Sequence, residues 1–131
     1  MPKAIYEERY VRLTTFTQDG RPKYVPVWIA YISDELVGFT TLQNAWKVKR
    51  IRHTPSVELI ACNYSGTLLE DAKVMTGSAR VVHGIEYQNV VKAIRAKYGW
   101  QYRMIAVTNK LRNFFRKGNF SSDCAVVIKI D

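Results

Sequence analysis

Two threonines, Thr40 and Thr41, precede the run Asn44-Ala45-Trp46-Lys47-Val48-Lys49-Arg50, and these are the residues best suited to chemistry. A strand ending in two hydroxyls and running into a helix start gathers hydroxyl donors, free backbone N–H groups, the positive end of a helix dipole and ammonium charge. Together these make a site for a phosphate. The plainer reading of the same residues is a solvated basic helix face. No other stretch offers comparable chemistry. Cys62 and Cys124 are far apart and form no CxxC, so both read as small buried hydrophobes. His53 and His83 form no metal-ligand spacing with each other or with a cysteine, and no metal is expected. Glu70 and Asp71 are adjacent, which suits a solvated loop better than an acid/base pair. GxGxxG, P-loop, GxSxG and HExxH motifs are absent. Without an evident acid, base or nucleophile, no catalytic side chain is assigned, and catalysis would fall to a bound cofactor.

The bulk composition agrees with an anionic ligand. Twenty Lys and Arg against eleven Asp and Glu give the 131 residues a net charge of +9. Such a surplus attracts nucleic acid, an acidic membrane surface or a small polyanion. With 47% hydrophobic and 24% charged residues the chain reads as one globular domain over 1–131. No apolar run is long enough to span a bilayer, and MPKAIYEERY lacks the apolar core of a secretory signal. A cytoplasmic protein is expected.

The elements that must position these residues are mostly strands. Arg9 to Gln18 predicts a strand that turns at Asp19-Gly20 into a second, Lys23 to Ile32. That second strand is apolar on both faces, with Val25, Val27, Ile29 and Tyr31 on one and Trp28, Ala30 and Ile32 on the other. Pro26 within it marks an edge or a bulge. Leu36 to Thr41 is a third strand. Asn44 to Thr54 is a short helix, with Asn44 as N-cap and Pro55 as its stop. Further strands follow at Ser56 to Asn63 and Ala72 to Val82, with Gly77 as a bulge or close-approach point, and at Ala125 to Ile130.

Two helices are expected between the last two strands. Ile85 to Tyr98 places Tyr87, Val90, Val91, Ile94 and Tyr98 on one face and ends at Gly99. Gln101 to Arg116 places Met104, Val107, Leu111 and Phe114 at apolar positions before a break at Lys117-Gly118-Asn119. The whole is mainly β with helices (α+β): a six-stranded antiparallel barrel, closed or split.

The joint pattern resembles the pyridoxamine-phosphate-oxidase-like, flavin- and deazaflavin-binding split-barrel superfamily. The resemblance rests on residues 13–22 (LTTFTQDGRP), Val25-Pro26-Val27-Trp28, Thr40-Thr41, residues 47–59 (KVKRIRHTPSVEL) and residues 75–82 (MTGSARVV). Residues 95–103 (RAKYGWQYR) look like the tail of the branch classed as coenzyme F420-dependent oxidoreductases. The resemblance spans nearly the whole chain. It implies a split barrel, and a homodimer with the cofactor at the subunit interface. It implies that Thr40, Thr41 and Lys47 approach the cofactor phosphate, with Lys49 and Arg50 as weaker transfers. It implies that the strand carrying Pro26, Val27 and Trp28 lies along the tricyclic ring. Trp46 departs from relatives, where that position is often small or basic, and its indole would shield the phosphate or cover the ring. Relatives also bind FMN or haem-related ligands.

The expected activity is therefore hydride transfer between F420 and a small organic substrate. The polyanionic F420, with its phosphate and oligoglutamate tail, suits the net charge and the late basic residues Arg103, Lys110, Arg112, Arg116 and Lys117. One alternative is an FMN-dependent oxidoreductase, or a cofactor-binding protein without turnover. Another is a small basic barrel holding single-stranded nucleic acid on Tyr24, Trp28, Tyr31 and Phe39. That reading accounts for charge and aromatics but leaves the Thr-Thr…Lys arrangement without a role.

Overall fold

A computed structural model describes residues 4–107 and 122–131. Its strands are β1 (Tyr10–Phe16), β2 (Pro22–Val27), β3 (Ala30–Ser33), β4 (Leu36–Thr41), β5 (Ser56–Cys62), β6 (Met75–Val82) and β7 (Cys124–Ile130), with helices α1 (Trp46–His53) and α2 (Gly84–Val107). All paired neighbours run antiparallel, in one seven-stranded sheet of order β2-β1-β5-β6-β7-β4-β3. The two edges, β2 and β3, are joined by Trp28 and Ile29 alone. Three Cα steps reach at most about 11 Å, so the sheet must curl until its edges nearly meet. The result is a half-open barrel.

Seven strands replace the expected six because the run from Lys23 to Ile32 breaks at Trp28-Ile29, where the chain crosses from one sheet edge to the other. Pro26 lies on edge strand β2, where its missing N–H leaves no ladder bond unmade. The Asp19-Gly20 hairpin is present, with Gly20 at φ +85°. The helix expected to end at Gly99 instead continues through it to Val107, since Gly99 has no positive φ and only weakens the helix. A second helix over 101–116 is therefore not separate at its start. The side chains of Arg103, Met104 and Val107, and residues Lys110, Leu111, Arg112, Phe114, Arg116 and Lys117-Gly118-Asn119, lie outside what is described. Among the described residues no helix is long and apolar enough to cross a membrane.

Strand alternation divides the interior in two. On β7, Cys124, Val126 and Ile128 face the barrel core with Val11, Leu13, Phe39 and Leu59, while Ala125 and Val127 face α2. Helix α1 packs against the barrel core with Val48 and Ile51. Helix α2 covers the outer side of β3, β4 and β7 with Val90, Ile94 and Tyr98.

Gly77 is set by close approach. A Cβ there would sit 2.6 Å from the Lys129 carbonyl oxygen and 2.8 Å from Ile128 Cγ2. Gly77→Ala is expected to cost about 1–3 kcal/mol, as overpacking does elsewhere. Chemical denaturation checks this, and an unchanged midpoint would contradict it.

The β2–β3 crossing is pinned from α2. Lys97 Nζ donates to the carbonyls of Tyr6 (2.6 Å), Glu8 (2.6 Å) and Ile29 (2.5 Å). The Tyr98 hydroxyl donates to the Arg9 carbonyl at 2.8 Å and accepts from Ile29 N–H at 3.2 Å. The Trp28 indole stacks on the Tyr98 ring, 4.5 Å between centroids and 6° from parallel. Burial, only partly opposed by the Glu8 carboxylate, lowers the Lys97 pKa from 10.5 to about 8. Between those values the unfolded chain binds a proton the folded chain lacks, so this lysine favours folding more as pH rises. The stability of the wild type relative to Lys97→Met is therefore expected to grow from pH 7.5 to pH 10. A difference that shrinks over that range would contradict the assignment.

Candidate functional site

Helix α1 is placed by both of its ends. Asp123 donates its N–H to the Thr41 carbonyl at 3.1 Å and accepts from Gln43 N–H at 2.7 Å, which fixes the exit from β4. The turn then closes with Ala45 N–H on the Leu42 carbonyl. This makes Ala45 the N-cap in place of Asn44, which stays in the turn, and no side chain caps the helix start. The last turn ends at Thr54, ahead of Pro55.

The charge on α1 is one-sided. The helix is WKVKRIRH and has no acidic residue in its first turn. Arg50, Arg52 and His53 lie at the end the dipole favours for cations, whereas Lys47 lies at the opposing end. Burial, then the neighbouring Arg50 charge, hold the Lys47 pKa below its ordinary value. Among the described residues no carboxylate comes within ion-pair distance of Lys47, Lys49, Arg50 or Arg52.

Opposite the buried Val48 and Ile51, four residues spaced i, i+3, i+4 and i+7 form one face of α1: Trp46, Lys49, Arg50 and His53. With Arg52, and with Thr17 and Gln18 from the β1–β2 turn, they line a groove of about 480 Å³. Trp46 is 69% exposed, and Lys49 Nζ lies 4.6 Å from the centre of its ring. Arg50 Nη1 donates to the hydroxyl of buried Thr15 at 3.2 Å. His53 Nε2 lies 3.1 Å from Gln18 Nε2.

The sequence candidates fall into separate groups. Lys47 lies on the flank of α1 toward Cys124, the cross-strand partner of Thr41. Thr40 and Thr41 point to opposite faces of β4: Thr41 shares the inward parity of Val37 and Phe39, and Thr40 that of Gly38, which packs on Val90. Their side chains therefore do not converge. Trp46 and Lys49 belong to the groove. Pro26, Val27 and Trp28 sit at the far end of β2, since Pro22 pairs beside the Thr17–Gln18 turn and Val27 lies five residues on, roughly 16 Å along the strand. Val27 is in the barrel core, and Trp28 packs with α2.

The sequence reading passed over Thr15, Thr17, Gln18, Arg52 and His53, and left Arg50 out of the main set. The α1 face was visible in the spacing, but its partners in β1 and the following turn depend on sheet curvature. Cys62 and Cys124 are buried free thiols, and burial raises both pKa values, which keeps them protonated. Among the described residues no three His, Cys, Asp or Glu side chains are grouped to hold a metal. Of the four aromatics named for a nucleic-acid platform, Phe39 is buried and Trp28 is stacked on Tyr98, while Tyr24 and Tyr31 are exposed.

No protein-family profile matches the chain, and no curated protein does. Solved structures do match its fold. An F420 reductase is 16% identical, with 100% of this chain and 96% of that one covered and a TM-score of 0.63. HutZ, the haem storage protein from Vibrio cholerae, is 14% identical, with 97% and 84% covered and a TM-score of 0.61. A conserved hypothetical protein from Mycobacterium tuberculosis is 18% identical, with 95% and 73% covered and a TM-score of 0.64. The chain has the pyridoxamine-phosphate-oxidase-like split-barrel fold.

Proposed function

We propose that this split-barrel chain is an oxidoreductase that binds coenzyme F420 and transfers hydride between it and a small organic substrate. The observation that carries the reading is α1, a helix with four Lys and Arg, no acid, no side-chain cap and no ion-pair partner among the described residues. Lys47 and Arg50 repel one another there, and a bound phosphate would relieve that repulsion. The donor set therefore fits a phosphate-bearing cofactor. Lys47 and the Thr41 strand end would hold the phosphate and Thr40 would act through its backbone, while Trp46 and Lys49 face the groove instead. When bound, a deazaflavin supplies the hydride chemistry, and the chain orients it and excludes water. FMN carries one phosphate and draws less on the surplus charge, which favours F420 over it.

Residues Pro26 to Trp28 do not line the groove on α1. A second copy of the chain, with the ligand lying in the seam, would bring them into use. The outer side of β1 and β2 supports such a seam. Arg12 and Tyr24 lie there, the guanidinium carbon 4.2 Å from the ring centre, and Arg12 Nε is buried without a hydrogen-bond partner. Light scattering at micromolar concentration is expected to give a dimer.

The activity is tested by mixing the protein anaerobically with reduced F420 and a panel of quinone and enone acceptors. Re-oxidation above the protein-free rate is expected. Tight binding with no acceleration would make the chain a cofactor carrier.

A further inference from the structure

The groove on α1 is larger than an anchor for one phosphate requires, and Lys47, the residue assigned to that anchor, does not line it. Its contents are specific. One indole lies mostly exposed at the groove, with an ammonium near its ring. Arg50 is tethered through one N–H to Thr15, which leaves the rest of its fork available, and Arg52 stands one helical flank away. His53 is steered by Gln18. The nearest acid in the turn, Asp19, is already engaged by Thr17 and by Arg21 at 3.0 Å, so it does not neutralise the groove.

An exposed indole offers a stacking surface for a flat ring, and a guanidinium fork matches a carboxylate with two parallel hydrogen bonds. A volume near 480 Å³ is in the ordinary range for a small-molecule pocket. We infer that this groove is a second binding site, separate from the cofactor anchor, for a small planar aromatic carboxylate: the ring stacks on Trp46 and the carboxylate is held by Arg50, with Arg52 adding charge at the groove's edge. A phosphate or sulfate lacks the ring, and a neutral aromatic lacks the charge, so each should use only half of the site. The inference concerns the groove alone and does not depend on which cofactor the chain takes.

The test is calorimetric titration of the full chain, without cofactor, using 2-naphthoate as the probe. Acetate serves as the anion without a ring, and 2-naphthylmethanol as the ring without a charge. Saturable binding of 2-naphthoate is expected, with each control roughly tenfold weaker or worse, the loss that follows from removing a charge-assisted hydrogen bond or a stacked ring. Trp46→Ala and Arg52→Gln change exposed side chains and should fold; Trp46→Ala should weaken 2-naphthoate roughly tenfold and Arg52→Gln by a smaller factor. Lys47→Ala should leave it unchanged. Adding F420 should not displace it. Equal binding of the neutral alcohol, full retention in Trp46→Ala, or mutual displacement with F420 would overturn the inference. Displacement would assign the groove to the cofactor and leave the proposed oxidoreductase standing. Naphthoate binding in a chain that takes no F420 would do the reverse.

Discussion

Trp28→Ala is expected to lower the melting temperature by about 10 °C, which corresponds to a loss of about 3 kcal/mol in a chain this size. The indole is half-buried, stacks on Tyr98 and packs with the α2 core at the point where the two sheet edges are joined. Truncation removes that stack and leaves a gap beside Tyr98, whose hydroxyl holds both Arg9 and Ile29. The resemblance also sets Trp28 on the ring-facing strand, so kcat should fall as well. Circular dichroism melting separates the two effects. A melting temperature within about 2 °C of wild type would contradict the packing role. Normal turnover in the folded variant would remove Trp28 from the proposed ring contact.

Lys47→Ala is expected to weaken F420 binding by roughly 10- to 150-fold, or about 1.5–3 kcal/mol, the range for a hydrogen bond to a charged group. The fold should survive. Lys47 opposes the helix dipole and repels Arg50, so its removal should leave the melting temperature level or slightly higher. Equilibrium titration followed by cofactor fluorescence reads the first effect, and a thermal melt reads the second. An unchanged dissociation constant would remove Lys47 from the anchor. Lower stability would show that its charge is compensated in a way the ion-pair geometry does not reveal.

Local features of the chain were legible in its sequence, and features that depend on curvature were not. Asp19-Gly20 marks a hairpin because the turn needs a positive φ that glycine supplies without strain. Leu36 to Thr41 and the Pro55 stop follow from strand composition and proline sterics alone. The two apolar faces of the Lys23 to Ile32 run did signal cover on both sides. They did not signal that the run is two strands on opposite edges, because that break is set by closure of the sheet. Gly99 reads as a helix stop from propensity, yet the helix runs on through it. The Thr40-Thr41 pair looked like one anchor in sequence, but alternation turns the two side chains apart. The face of Trp46, Lys49, Arg50 and His53 is readable from helical spacing once the helix start is known. Its contacts to Thr15 and Gln18 span 35 residues and emerge only when the barrel forms.

The central claim is that α1 anchors a polyanionic cofactor. The most direct test is a titration of the purified chain with F420 and, in parallel, FMN and haemin, at low and near-physiological salt. Saturable F420 binding is predicted, one per chain, tighter than FMN, and weakening steeply as salt screens the exposed cations. Tighter binding of FMN or haemin at physiological salt, or F420 binding that is indifferent to salt, would contradict it.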